Sequence, residues 1–223
     1  RLFSEKFSEK HLLIIGSNTQ SIISGSKVYY NSLTIYDNKL NIIDSYNKIN
    51  LVPFGEFLPL ENILKNIGLR SLTNNYQSFS SGDQRDIIEI KKQNFRLKIL
   101  PLICYEIIYS GKLFNNSDFD LIVNISEDGW FGKSIGPDQH FAKSIFRAIE
   151  SNTFFLRSAN KGVSAIIDNK GNIIKRLNRN EAGSIEFEVP LIKSNKIKND
   201  LIFFVLLITY LLIFLFYNKK NAK

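Results

Sequence analysis

Short apolar runs separated by polar clusters mark out most of the chain, and the first, residues 11–16 (HLLIIG), has the length and composition of a buried strand. Residues 27–36 (KVYYNSLTIY) carry the β-branched and aromatic side chains suited to a second strand. Asp37-Asn38-Lys39 then supplies turn chemistry before residues 40–46, which predicts a β-hairpin. Past Pro53-Phe54-Gly55, the apolar residues of 60–69 follow the spacing of a short helix, and the Ser- and Gly-rich stretch 77–85 reads as a loop. Strands are predicted at 86–90, 95–103 and 120–125, with a helical turn or short helix over 105–113. Residues 139–151 place Phe141, Ile145, Ala148 and Ile149 on one helical face. Strands follow at 153–157 and 163–168, and Asn169-Lys170-Gly171 turns the chain into another at 172–177. A final strand is predicted at 183–189, ahead of Pro190 and a Lys/Asn/Ser linker. Strands alternating with helices and then hairpins indicate a layered α/β domain, and no internal repeat is visible.

The last apolar run differs in kind. Residues 201–217 read LIFFVLLITYLLIFLFY without a charge, and Asn218-Lys219-Lys220 stop the run abruptly. Roughly 17 residues at ~1.5 Å each reach ~26 Å, within the range of a helix spanning a ~30 Å hydrocarbon core. A transmembrane helix is therefore predicted there in preference to a buried core helix. Lys193, Lys196 and Lys198 precede it while Lys219, Lys220 and Lys223 follow, so basic residues do not set its orientation.

The 223 residues, 44% of them hydrophobic, suffice for one sizeable core and an appendage. The net charge of +8 is scattered, with no aromatic-interleaved basic stripe, which argues against nucleic acid and for a membrane surface as the acidic partner. One cysteine excludes an intramolecular disulfide, and the two histidines, His11 and His140, form no cluster with metal-ligand spacing, so no metal site is expected. There is no methionine, and the opening RLFSEKF has no apolar signal region, so the chain is expected to be a truncated product.

Cys104 stands at the end of an apolar run in PLICYE (101–106), directly before Tyr105 and Glu106. A thiol there is either a small buried hydrophobe or a nucleophile. If it closes a strand and Tyr105 opens a helix, nearby backbone N–H groups favour the thiolate. A cysteine attacking a carbonyl also needs a base and an oxyanion donor. Lys48 is a candidate donor, eight residues before Glu56 in KINLVPFGE, with Pro53 and Gly55 fixing the loop between them. The plain alternative is a solvated lysine and a surface carboxylate. Trp130 in DGWFG either packs in the core or, with Phe131, contacts lipid, and Arg147 and Glu150, one helical turn apart, are expected to form a structural ion pair.

KINLVPFGEFLP at 48–59, PLICYE at 101–106 and the segment from NISEDGWFG to NKGNI at 124–173 occur in one order and together resemble the apolipoprotein N-acyltransferases, a membrane branch of the nitrilase (carbon-nitrogen hydrolase) superfamily. The resemblance implies an α/β fold, a nitrilase-like αββα sandwich over 1–190, followed by a linker at 191–200, a transmembrane helix at 201–217 and a basic tail at 218–223. It implies a Glu-Lys-Cys triad in which Cys104 is the nucleophile and Lys48 stabilises the oxyanion, with Glu56, Tyr105 and Glu106 in support and Trp130 and Phe131 at the acyl access. The triad's general-base glutamate belongs upstream of the strand at 11–16. Glu5 and Glu9 lack the expected surroundings and are not assigned that role, so an inactive fragment is expected.

The implied reaction moves an acyl chain from a phosphatidylethanolamine-like phospholipid through a cysteine thioester to the N-terminal amine of a diacylglyceryl-cysteine lipoprotein. It needs no cofactor. The implied location is the bacterial inner membrane, with the catalytic domain on the periplasmic face. A nitrilase-type amidohydrolase that uses water as acceptor is the nearest rival, though its soluble relatives generally lack a tail like 201–217. A catalytically silent, membrane-anchored binding module is the second.

Overall fold

From Ile99 on, the strand at Phe95–Ile103 is buried on both faces, and its alternating side chains divide the interior into two cores. Leu97, Ile99 and Ile103 point into one, and Leu100 and Leu102 into the other. The computed structural model describes residues 5–60, 78–92, 95–111, 118–192 and 200–221.

Among them β1 (Leu13–Ile23), β2 (Ser26–Tyr36) and β3 (Ile42–Asn47) form an antiparallel sheet in that order. A second sheet runs β4 (Ile88–Lys92), β5 (Phe95–Ile103), β6 (Leu121–Glu127), β7 (Phe154–Asn160), β8 (Ser164–Ile167) and β9 (Ile173–Leu177). Its three central strands are parallel and its flanking pairs antiparallel. The parallel step from β6 to β7 needs a crossover, which α1 (Gly136–Ser151) supplies, opened by Pro137 and closed by Asn152 in the left-handed conformation.

Leu33, Ile35 and Tyr46 of the first sheet pack against Ile88, Ile90, Leu97, Ile99, Leu121 and Val123 of the second. On the other face Leu100, Leu102, Ile122 and Phe155 pack against Phe141 and Ala148 of α1. Among the described residues the layers are therefore sheet, sheet and helix. α2 (Asp200–Asn221) follows, and Ile202–Lys219 is long and apolar enough to cross a membrane, with its side chains exposed throughout.

Most predicted elements are present with shifted ends, and 95–103 is the strand as predicted. β1 continues past Gly16 through the polar Ser17-Asn18-Thr19-Gln20, because hydrogen bonding to β2 on one side suffices for an edge strand. The helix expected at 60–69 falls almost wholly outside the described residues. No strand forms at 183–189. The alternation there seats Phe187 against Phe154, with ring centroids 6.2 Å apart, without any backbone ladder. The predicted face of α1 is also corrected: Ile149 is exposed, and the buried face carries His140, Ser144, Arg147 and Ser151 beside Phe141 and Ala148. Arg147 and Glu150 lie 2.8 Å apart as an ion pair. The helix at the chain's end runs on through the start of the predicted basic tail.

Two hairpins turn on the same device. In Asp37-Asn38-Lys39-Leu40-Asn41 and Asp168-Asn169-Lys170-Gly171-Asn172, the aspartate Oδ1 accepts the backbone N–H two and four residues on, at 2.8 to 2.9 Å, and Oδ2 accepts the asparagine side chain. The fourth residue takes positive φ, 65° at Leu40 and 86° at Gly171. Leu40 bears the left-handed strain in the open, whereas a Cβ at Gly171 would meet Ile149 Cδ1 at 2.7 Å. Leu40→Gly is expected to raise stability by up to about 1 kcal/mol, and Gly171→Leu to lower it by more, as read from urea unfolding midpoints.

Candidate active site

β5 ends at Ile103, and the chain bends into a 3-10 turn at Cys104–Ile108. Cys104 is the hinge, with φ of 50°, in a region that costs a non-glycine residue about 1–2 kcal/mol. Its thiol is partly buried. The bend is held because Glu106 reaches back to accept the Ile103 N–H at 2.9 Å, half of a capping box. A five-residue 3-10 turn thus follows the cysteine, the helical turn of the two forms expected over 105–113, of which 112 and 113 lie outside the described residues.

Glu106 is fully buried and gathers donors from several segments. Its Oε1 accepts from Tyr46 Oη (2.7 Å) at the end of β3, from the Ile49 and Asn50 N–H groups (3.0 and 3.2 Å), and from Arg85 Nη2 (2.7 Å). Burial works against the Arg85 guanidinium, but the Glu106 carboxylate outweighs it and raises its pKa. Burial, reinforced by that carboxylate, pushes the Tyr46 phenol well above its ordinary value. The carboxylate therefore binds the cysteine turn to the segment that carries Lys48.

Lys48 is not solvated. It is 1% exposed, and its Nζ donates to Glu56 Oε2 at 2.7 Å. Glu56 is fixed in turn by Val52 N–H (2.8 Å) and Asn31 Nδ2 (2.7 Å). The pair sits where β3 gives way to the loop carrying Pro53, and Gly82 closes over it. The Gly82 N–H donates to Lys48 O at 2.9 Å, and a Cβ there would meet Asn47 O at 2.3 Å, so only glycine fits. An ammonium carries three N–H donors, and one is spent on Glu56.

Tyr105 meets Tyr109 edge to face, with centroids 6.1 Å apart. Trp130 is 70% exposed, which removes the core-packing reading, while Phe131 is half-buried and tilts over His140 at 5.4 Å.

Sequence reasoning missed a second buried polar group behind the cysteine. His140 Nε2 donates to the Cys104 carbonyl at 3.2 Å, and its Nδ1 lies 3.0 Å from Asp128 Oδ1. Asp128 accepts from Ser126 Oγ and, through Oδ2, from Arg157 Nη2, both at 2.7 Å. Arg157 also donates to Asn124 Oδ1 and to the Val163 carbonyl. Burial alone would raise the Asp128 carboxyl, but the His140 hydrogen bond and the Arg157 charge outweigh it and hold the pKa at about 2. Burial lowers the Arg157 guanidinium, with Asp128 pulling the other way. The available signal was an arginine inside the apolar run TFFLRSA, a buried-strand position where an unpaired charge would be costly.

A thiol on a bent hinge, joined through Glu106 to the segment that carries a buried ammonium, suits covalent acyl chemistry. Residues 8–198 match the model of the family described as Carbon-nitrogen hydrolase. The chain belongs to the carbon-nitrogen hydrolase family. Curated members similar to it are named Apolipoprotein N-acyltransferase. That of Rickettsia prowazekii is 40% identical over 82% of this chain and 36% of its own length, and that of Rickettsia typhi is 37% identical over 94% and 43%. A third, from Rhizobium etli, is 34% identical over 83% and 35%. The chain thus spans well under half the length of these relatives. Among solved structures, Saccharomyces cerevisiae Nit3, of branch 10 of the nitrilase superfamily, superposes with a TM-score of 0.51 at 16% identity, covering 78% of this chain and 59% of Nit3. That likeness concerns the fold, and with the two facing sheets and α1 it gives this member of the carbon-nitrogen hydrolase family a nitrilase-like α/β architecture.

Removing the Glu106 charge leaves Arg85 buried without its partner, so Glu106→Gln is expected to cost about 3–5 kcal/mol, measured by denaturant unfolding. Asp128 titrates lower in the folded chain than its ordinary 3.8, so its contribution is present above pH ~3.8 and is lost as pH falls through about 2. The stability gap between the native chain and Asp128→Asn should therefore narrow between pH 4 and about 2, as followed by urea midpoints across that range.

Proposed function

We propose that the protein is an apolipoprotein N-acyltransferase that works through a Cys104 thioester. The observation that carries this reading is the buried Lys48, held on the segment that Glu106 binds to the Cys104 turn. The names of the similar curated proteins supply the reaction.

The Cys104 thiolate attacks the carbonyl carbon of a phospholipid acyl ester, typically of phosphatidylethanolamine. Lys48 Nζ, oriented by Glu56, offers its remaining N–H donors to the tetrahedral oxyanion. The C–O bond breaks, the lysophospholipid leaves with a proton, and the acyl chain stays on sulfur. The α-amine of a diacylglyceryl-cysteine lipoprotein then attacks the thioester, the C–S bond breaks and the thiol is restored. The base that takes the cysteine proton is not assigned to any residue of this chain. Tyr105 shapes the approach to sulfur, and the exposed Trp130 with Phe131 contacts the incoming acyl chain. α2 as a membrane anchor keeps the domain at the surface where both substrates reside, on the periplasmic face of the inner membrane.

The test uses the full-length protein in phosphatidylethanolamine vesicles, with mass spectrometry of the peptide containing Cys104. An acyl adduct is expected on the native protein and none on Cys104→Ser, and Lys48→Met should slow its formation by about 10²- to 10³-fold. Absence of the adduct from the native protein, or an equal adduct on the serine variant, would end the proposal. An adduct released only to water would favour hydrolysis over transfer.

A further inference from the structure

Cys104 is the one residue of the PLICYE segment forced to positive φ, and it has a Cβ. Such a conformation persists only where the surroundings over-determine it. On its N-terminal side, Glu106 fixes the Ile103 N–H. On its C-terminal side, the Cys104 carbonyl is met by His140 Nε2 at 3.2 Å. A carbonyl only accepts, so Nε2 carries the proton of this bond. The imidazole is 4% exposed, and Nδ1 sits between Asp128 Oδ1 at 3.0 Å and Arg157 Nη2 at 3.1 Å, so the ring is pinned whichever neighbour it engages. Phe131 tilts over the ring face. Asp128 is itself seated by Ser126, by Arg157 and by Gly162, where a Cβ would come within 2.2 Å of Oδ2.

We infer that His140 is a positioning residue for the nucleophile: seated by Asp128 and Arg157, it clamps the Cys104 carbonyl and so holds the hinge that aims the sulfur. The inference rests on the reading of Cys104 as the nucleophile. Its catalytic weight comes from orientation, since a misplacement of about 1 Å at a reacting atom costs on the order of 10²-fold in rate. His140 touches no reacting atom in this scheme. It acts through the backbone of the residue that does, and it works together with Glu106, which holds the preceding peptide from the opposite side.

The experiment compares His140→Leu, which removes the donor, with His140→Gln, whose Nε2 keeps an N–H near the same place. Hydrogen–deuterium exchange of the peptide 101–109 is read alongside the rate of acyl-adduct formation on the full-length protein in phosphatidylethanolamine vesicles. His140→Leu should speed exchange of that peptide about tenfold while other peptides hold. It should also lower the limiting acylation rate by about 10- to 100-fold with the half-saturating lipid concentration unchanged. His140→Gln should stay within about threefold of the native protein in both readouts, an order-of-magnitude allowance for imperfect donor placement.

Unchanged exchange in His140→Leu, a rise spread over the whole domain, or a His140→Gln variant as impaired as the leucine one would overturn the inference. Should His140→Leu fail to fold, His140→Met makes the same comparison, and failure of both would assign His140 to general stability instead. The exchange measurement needs no acyl transfer. If the native protein forms no adduct but the exchange pattern is as expected, the transferase reading falls and the clamp stands.

Discussion

The carboxylate of Glu106 is the interaction on which the arrangement depends. Burying it entirely carries a desolvation cost of several kcal/mol, which is tolerable only with complete hydrogen bonding. The compensation comes from far apart in the chain: the Tyr46 hydroxyl, the Ile49 and Asn50 amides, the Arg85 guanidinium and the Ile103 amide. These donors belong to both sheets and to the polar loop between them. The group that bends the chain at Cys104 is thus also the group that binds the end of β3 to that bend. Lys48 is drawn to the cysteine turn by a charge it does not itself contact.

Much of this was legible because hydrophobic burial leaves a plain trace. The second half of β5, Ile99 to Ile103, is buried on both faces and reads as an unbroken apolar run, which marks where the strand stops, directly before Cys104. β1 was cut short because its second half is polar, and backbone pairing to β2 needs no apolar side chains. The segment at 183–189 misled for the opposite reason. Alternation reports one buried face, and Phe187 uses that face to stack on Phe154 without making a ladder. The motif resemblance points to Lys48 and Glu56 separately and not to the ion pair between them, since nothing in a lysine at a strand end announces burial.

The group formed by Asp128, His140 and Arg157 escaped because pattern reading assigns polar positions of a helix to solvent. α1 does the reverse along one stripe, burying His140, Ser144, Arg147 and Ser151. The topology explains the need. The three parallel strands β5, β6 and β7 end at one edge, so the segments that follow them bring Cys104, Asp128 and Gly162 together. The first turns of α1 start beside that edge, and a wholly apolar helix face there would leave the Cys104 carbonyl without the His140 donor and the Asp128 carboxylate with Ser126 and Arg157 but no imidazole.

α2 carries a consequence of a different kind. Its run from Ile202 to Tyr217 is apolar on every side, with no stripe that distinguishes one face from another. A helix of that sort has a strong preference for depth in a lipid phase and almost none for rotation about its own long axis. Used as a tether, it sets the height of the chain's end relative to the bilayer and leaves the azimuth of whatever it carries to be decided elsewhere. With α2 as the anchor proposed above, the direction in which Cys104 faces along the membrane plane falls to the domain's own surface, on which Trp130 is 70% exposed.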